Sequence, residues 1–273
     1  RNRTGPARGG NAMCGQTGII LAESRRTARQ FAQLRSAFTR LLLLNELRGR
    51  DATGIAMVVN NGTYRLMKRP MPASSFIRLP KFHEVLDSLS NQNTLVMGHT
   101  RLATVGRVDD VTNGHPIKAG CCLATVNGTI YNANRLFRKF GLTRFAEVDS
   151  ELVARLADQH APNGEILVGN FLHALRHCRG QISAVVTSLF DPQRVIILKG
   201  NRPLSLRYHA GLGALVYSSD AFHMDTVLRT KAWTELELPP MTCAVADLRN
   251  LPEPQLRPFN FKRIKLRTTS CAI

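Results

Sequence analysis

The chain has 273 residues, 44% of them hydrophobic, enough to bury the core of one large domain or two small ones. Its 37 Lys and Arg against 19 Asp and Glu leave a formal net charge of +18, which draws polyanions whatever the fold and makes nucleic acid or an acidic protein surface an expected partner. The longest apolar runs, such as 38–47, fall well short of the roughly 20 residues that a membrane-spanning helix needs, so no membrane partner is expected.

In chain order, residues 1–13 hold three arginines, three glycines and a proline without apolar period, and read as an extended basic leader or propeptide. A short strand is predicted at 17–21. Helical spacing follows over 27–47, with Ala28, Phe31, Leu34, Ala37 or Phe38, Leu41, Leu44 and Leu47 on one stripe. Strands 55–59 and 64–67 flank Asn60-Asn61-Gly62-Thr63, a hairpin signal. A helix at 82–89 precedes a buried strand at 94–98 that leads into His99-Thr100-Arg101, and a strand at 121–126 ends at Asn127-Gly128. Helices are predicted at 132–140, 150–159 and 166–178, and strands at 182–189, 194–198, 204–208, 214–217 and 242–246. Residues 249–273 form a basic tail, with no acid between Arg257 and Ile273. This order is not a regular βα alternation, so a doubly wound parallel sheet is excluded in favour of an α+β arrangement.

Of the cysteines Cys14, Cys121, Cys122, Cys178, Cys243 and Cys271, none makes a CxxC pair or a Cys/His spacing of the kind structural zinc sites use. Free thiols in a reducing compartment are expected, with no metal and no cofactor. Adjacent Cys121 and Cys122 fall in an apolar strand and read as small buried hydrophobes.

Four segments carry chemistry. Cys14 stands in Ala12-Met13-Cys14-Gly15-Gln16-Thr17-Gly18, a thiol nucleophile in search of an amide. Gly98-His99-Thr100-Arg101-Leu102-Ala103-Thr104-Val105-Gly106 offers a fixed cation for a carboxylate. Thr125-Val126-Asn127-Gly128-Thr129-Ile130 offers an Asn-Gly pair for an oxyanion, and Val148-Asp149-Ser150-Glu151 a carboxylate for an ammonium. Together they complement a bound amino acid, and glutamine is the candidate substrate. No histidine is the evident base for Cys14.

With Arg48-Gly49-Arg50-Asp51-Ala52-Thr53-Gly54, His115-Pro116 and Leu215-Val216-Tyr217-Ser218-Ser219-Asp220, these segments resemble in order and spacing the glutaminase domains of class II glutamine amidotransferases. That family of N-terminal nucleophile hydrolases includes glucosamine-6-phosphate synthase and amidophosphoribosyltransferase. The resemblance covers 14–248 and implies a four-layer αββα sandwich. It assigns the nucleophile to Cys14, the oxyanion hole to the Asn127 side chain and the Gly128 amide, the substrate α-carboxylate to Arg101 and the α-ammonium to Asp149. Asp149 would equally suit a helix cap at 150. Thr104 completes the arginine loop, His115 belongs to a loop that closes over the site, and Arg48, Asp51 and Gly54 brace it. The family's base is the α-amine of the nucleophile itself, so Met13-Cys14 is expected to be cut, autocatalytically or by a protease. The chain departs from the family at Leu102, Val105 and Val126, where tryptophan and histidines are usual, so the substrate is glutamine or a related small amide.

Two functions follow. The first is a glutaminase that passes ammonia to a separate acceptor protein in the cytoplasm. The second is a catalytically silent protein with a structural role in a virion or another nucleic-acid-containing assembly.

Overall fold

The computed structural model describes residues 13–261; the leader before Met13 and the tail beyond Phe261, with Cys271, lie outside the described residues. The strands are β1 (Gly15–Leu21), β2 (Ala52–Val59), β3 (Tyr64–Arg69), β4 (Asn93–Arg101), β5 (Ile117–Ala119), β6 (Cys122–Ile130), β7 (Gly180–Ser188), β8 (Arg194–Lys199), β9 (Ser205–His209), β10 (Ala214–Ser218), β11 (Thr234–Leu236), β12 (Thr242–Asp247) and β13 (Gln255–Pro258). The helices are α1 (Ala28–Asn45), α2 (Ala73–Phe76), α3 (Pro80–Asp87), α4 (Ala133–Lys139), α5 (Glu151–Gln159), α6 (Val168–Leu175) and α7 (Ala221–Val227).

Strand alternation builds the layers. In β1, Ile19 and Leu21 face the helices α1, α2, α3 and α7, packing with Phe31, Leu34, Phe38, Phe76 and Phe82. Ile20, one residue off, points the other way with Leu95 and Met97, and meets Leu123, Val185 and Ile197 of the second sheet. That second sheet turns its far face to α4, α5 and α6 through Leu136, Leu152, Leu156 and Phe171. The result is the expected α+β sandwich in four layers, αββα. Its first sheet runs β11-β9-β10-β1-β4-β2-β3 and its second β13-β12-β8-β7-β6-β5.

Local signals account for the element ends. Thr27 opens α1 with a reciprocal cap, its Oγ1 accepting from Gln30 N at 3.3 Å while Gln30 Oε1 accepts from Thr27 N at 2.8 Å. The helix stops at Asn45, so Leu47, expected on its buried stripe, stands exposed beyond the last turn. Asn45 is fixed by its Nδ2 donating to Leu41 O and Ser218 Oγ at 2.8 and 3.2 Å.

Three differences from the sequence expectation bear on the site. β4 runs through His99, Thr100 and Arg101 rather than ending before them, and β6 runs through Asn127-Gly128 to Ile130, so that pair lies inside a strand. The fold also continues past Leu248, because β13 pairs antiparallel with β12, and Phe259 and Phe261 are buried in the core under the second sheet.

Candidate active site

Cys14 directly precedes β1, whose register sets Gly15 against Thr100 and Gln16 against His99 of β4. The thiol is therefore beside the end of β4, and its Sγ accepts from Leu102 N at 3.4 Å. Gly15 has no room for a side chain, since a Cβ there would lie 2.7 Å from both Asn45 Oδ1 and Thr100 Oγ1. Behind Cys14, Arg48 Nε donates to the Cys14 carbonyl at 3.2 Å, and its Nη1 lies 3.6 Å from Asp220 Oδ2 at the end of β10. Burial pushes the Cys14 thiol above its ordinary pKa, opposed by the Leu102 N–H and by the cations Arg101 and Arg48, while Asp149 pushes it further up. The resting group is a thiol, and a nearby base has to take its proton.

Arg101 is 3% exposed. Its Nη1 donates to Arg107 O at 3.1 Å, and its Nη2 to Val105 O and Gly106 O at 2.6 and 3.0 Å, so the loop after β4 is folded around the guanidinium. Three of the five N–H donors an arginine carries are taken this way. The conformation of the strand end is held by the segment between α1 and β2: Gly49 leaves no space above Arg101, where a Cβ would come within 2.4 Å of its carbonyl carbon. Asp51 N donates to Arg101 O at 3.0 Å, and Asp51 Oδ2 accepts from Ala103 N at 2.7 Å. Thr104 is at the exposed tip of the same loop.

On the facing sheet, Asn127 is 1% exposed and its Nδ2 has no hydrogen-bond partner, a rare condition for a buried donor. Gly128 has φ +152°, and a Cβ there would fall 1.8 Å from Gln181 O of β7, so no larger residue fits. Two histidines hold the preceding peptide from both sides. His99 Nε2 lies 3.1 Å from Val126 O, and His115 Nδ1 accepts from Val126 N at 3.3 Å. The rings stack with centroids 4.2 Å apart. Burial pushes His99 down to about 3, and His115 well below its usual value, so both rings are neutral. A neutral pair requires His99 to donate from Nε2 and His115 to donate from Nε2 to Ser150 Oγ at 2.9 Å.

That geometry corrects the expectation for His115. It is 4% exposed with both ring nitrogens committed to Ser150 and Val126, which leaves none for a ligand and makes it a support of β6 just before Asn127. His99 is the partner that sequence reasoning passed over; its only signal was its place in the arginine segment. Asp149 does not cap α5 in the expected way. Its Oδ2 accepts from Ile130 N, two residues beyond Gly128, and burial raises its pKa against the pull of backbone N–H groups.

The two halves of the site are joined across the sandwich. Gln16 Nε2 donates to Ser183 O at 3.1 Å and Thr125 Oγ1 donates to Gln16 Oε1 at 3.0 Å. Asn127 pairs with Ser183, whose Oγ donates to Arg202 O at 2.6 Å, and the Arg202 guanidinium reaches Met13 Sδ beside Cys14. Cys14, Arg101 and Asp149 lie within electrostatic reach of one another.

No family model matches the chain. A 7-cyano-7-deazaguanine synthase of Sulfolobus acidocaldarius is 24% identical to it over 259 residues, 92% of this chain and 52% of that protein. A glutamine–fructose-6-phosphate aminotransferase (isomerizing) of Mycobacterium tuberculosis is 31% identical over 202 residues, 71% of this chain and 30% of that protein. The chain thus spans about half of the first and less than a third of the second. Among solved structures, the glutamine phosphoribosylpyrophosphate amidotransferase from B. subtilis, complexed with ADP and GMP, shares the fold with a TM-score of 0.66 at 19% identity, over 90% of this chain and 49% of that one. Among the described residues, no helix is long and apolar enough to cross a membrane.

Proposed function

Because the chain belongs to the class II glutamine amidotransferase domain family, of the N-terminal nucleophile type, we propose that it is a glutaminase that releases ammonia from glutamine through a thioester on Cys14. The observation that carries this is the buried, unpartnered Asn127 Nδ2 beside Gly128, facing the sheet that begins at the thiol. A donor left without a partner costs about 1–3 kcal/mol in a folded chain, and a developing oxyanion is the acceptor that turns this cost into transition-state binding.

Glutamine is held by its α-carboxylate on the arginine loop at Arg101 and Thr104 and by its α-ammonium on Asp149. Sγ of Cys14 attacks the amide carbon, and the oxygen takes the pair of electrons that leaves the π bond, accepting from Asn127 Nδ2 and Gly128 N. The thiol proton passes to the Cys14 α-amine, whose ordinary pKa of about 8 suits both uptake and return. That proton goes to the departing nitrogen, ammonia leaves and a γ-glutamyl thioester remains. Water then attacks the thioester, giving glutamate and the free thiol. In the sequence Cys14 follows Met13 and its nitrogen is an amide, so catalysis requires removal of the residues up to Met13. Ammonia is delivered to a separate acceptor protein in the cytoplasm.

The test compares a chain that begins at Cys14 with the same chain carrying Cys14→Ala. Glutamine-dependent release of ammonia and glutamate is expected from the first and absent from the second; equal activity in the two refutes the mechanism. The net charge of +18 favours a second reading, a silent domain in a nucleic-acid-containing assembly such as a virion. It calls for no hydrolysis by either chain, and for nucleic-acid binding that weakens steeply with salt.

A further inference from the structure

At the far end of β6 from Asn127, the turn after β5 brings together Cys121, Cys122 and Asp158. Cys122 and Asn127 are five residues apart on one strand, about 17 Å at strand rise, so this cluster is separate from the catalytic centre. Successive side chains of a strand point to opposite faces, yet the two sulfurs here are 3.8 Å apart. Cys121 still belongs to the turn and only Cys122 enters the strand; Gly120 before them adopts φ +49°. Gly120 also makes room for the third group. A Cβ on it would lie 2.0 and 2.1 Å from the two carboxylate oxygens of Asp158, so the α5 carboxylate occupies the space of the missing side chain. Asp158 Oδ1 is pinned there by the Cys121 N–H at 2.7 Å.

Two sulfurs and a carboxylate oxygen, all within 4.8 Å of one another, form a soft-donor set converging on one point. Tetrahedral geometry at a Zn–S bond of about 2.3 Å separates two thiolates by about 3.8 Å, the spacing that Cys121 and Cys122 already have. The carboxylate supplies a third ligand of the kind zinc accepts at about 2.0–2.2 Å. Cys122 is fully buried and Cys121 half-buried, so an ion would enter from the Cys121 side, with water as fourth ligand. We propose that Cys121, Cys122 and Asp158 form a binding site for a thiophilic divalent cation of the zinc class. Binding replaces the two thiol protons, which go to solvent, by two metal–sulfur bonds. Zinc-site spacing rules look for separated pairs and so pass over these adjacent cysteines.

The test titrates the reduced full chain, in a Cys14→Ala, Cys271→Ala background that removes the other thiol not fully buried among the described residues and the one outside them, with Co2+ and then displaces it with Zn2+. A saturable 1:1 complex is expected, with the visible absorption of tetrahedral cobalt and thiolate-to-metal charge transfer. It should vanish in Cys121→Ser and in Cys122→Ser, persist in Cys178→Ser, and weaken at least about tenfold in Asp158→Asn, since loss of even an outer-shell partner typically costs tenfold to a hundredfold. Should a serine variant fold poorly, the parent answers alone: Zn2+ should protect Cys121 from alkylation, mapped by mass spectrometry. No spectrum, one ion per two chains, an unchanged affinity in Asp158→Asn or full alkylation of Cys121 in the presence of Zn2+ overturns the proposal.

Discussion

The stacked pair His99 and His115 makes the stability of the fold depend on pH in a direction fixed by its burial. Both rings are neutral in the folded chain, with His99 pushed down to about 3, whereas in the unfolded chain a histidine titrates at about 6.5. Between these values the unfolded state binds a proton that the folded state refuses, so stability falls as pH drops below the unfolded value and keeps falling until the folded value is reached. For His99 alone the loss between pH 7 and pH 5 is about 2 kcal/mol, and His115 adds in the same direction. Urea unfolding at the two pH values measures the total, which includes carboxylates and other groups. The same measurement on His99→Gln isolates this ring, because glutamine does not titrate and can still offer an N–H to Val126 O. The variant should lose about 2 kcal/mol less than the parent over the interval. An equal loss in parent and variant would refute a neutral, buried His99.

Three further outcomes follow from the site. Asn127→Ala should lower kcat about 10²- to 10³-fold with little change in KM, as expected for a donor used only in the transition state, and since Nδ2 has no partner to lose, urea unfolding should show no penalty for a broken hydrogen bond; a KM effect without a kcat effect would contradict the oxyanion role. Arg101→Lys should raise KM for glutamine roughly tenfold to a hundredfold, because the planar guanidinium fork that holds three loop carbonyls at 2.6–3.1 Å is lost, and losing even one charged hydrogen bond costs about 1.5–3 kcal/mol; an unchanged KM would separate Arg101 from the substrate. Gly128→Ala should lose activity together with at least about 1–3 kcal/mol of stability, from the backbone conformation alone, with the 1.8 Å approach to Gln181 O added; a melting temperature equal to the parent's would show that the strand relaxes freely there.

The layer plan was legible because it rests on period and resemblance. The apolar stripe of α1 and the short strand at 17–21 are properties of nearby residues, readable without coordinates, whereas the split of Ile19 and Leu21 from Ile20 between the two faces comes from the packing. The Asn60–Thr63 turn was equally local, Gly62 taking the φ of +83° that such a turn demands. The short elements α2, β5, α7, β11 and β13 escaped notice because they are too brief to show a period and are held by their neighbours. β13, with the pattern exposed throughout in Gln255–Pro258, exists through its ladder to β12. In the site, residue types announced Cys14, Arg101 and Asn127, but whether a histidine touches ligand or frame depends on partners 11 to 35 residues away, as for His115 with Val126 and Ser150. Asn127-Gly128 read locally as the end of a strand, and only pairing with β7 shows the strand continuing through it.

What joins these pieces is the division of the site between two sheets. Cys14 directly precedes β1 of one, Asn127 lies on β6 of the other, and the interface between the sheets is mostly Ile20, Met97, Val185 and Ile197 with their neighbours. Apolar contact is non-directional and would by itself tolerate small slides between the sheets, each of which would misplace a thiol relative to an amide. The buried polar groups at the catalytic end remove that freedom. Gln16, two residues after Cys14, spends its amide on Ser183 O and Thr125 Oγ1 of the opposite sheet, and His99, opposite Gln16 on β4, reaches Val126 O. Each bond has an angular optimum, and leaving any one of these groups unpaired in the interior costs about 1–3 kcal/mol, so the register that satisfies all of them is selected over its neighbours. The polar residues behind the site therefore carry the alignment on which the chemistry proposed for Cys14 depends.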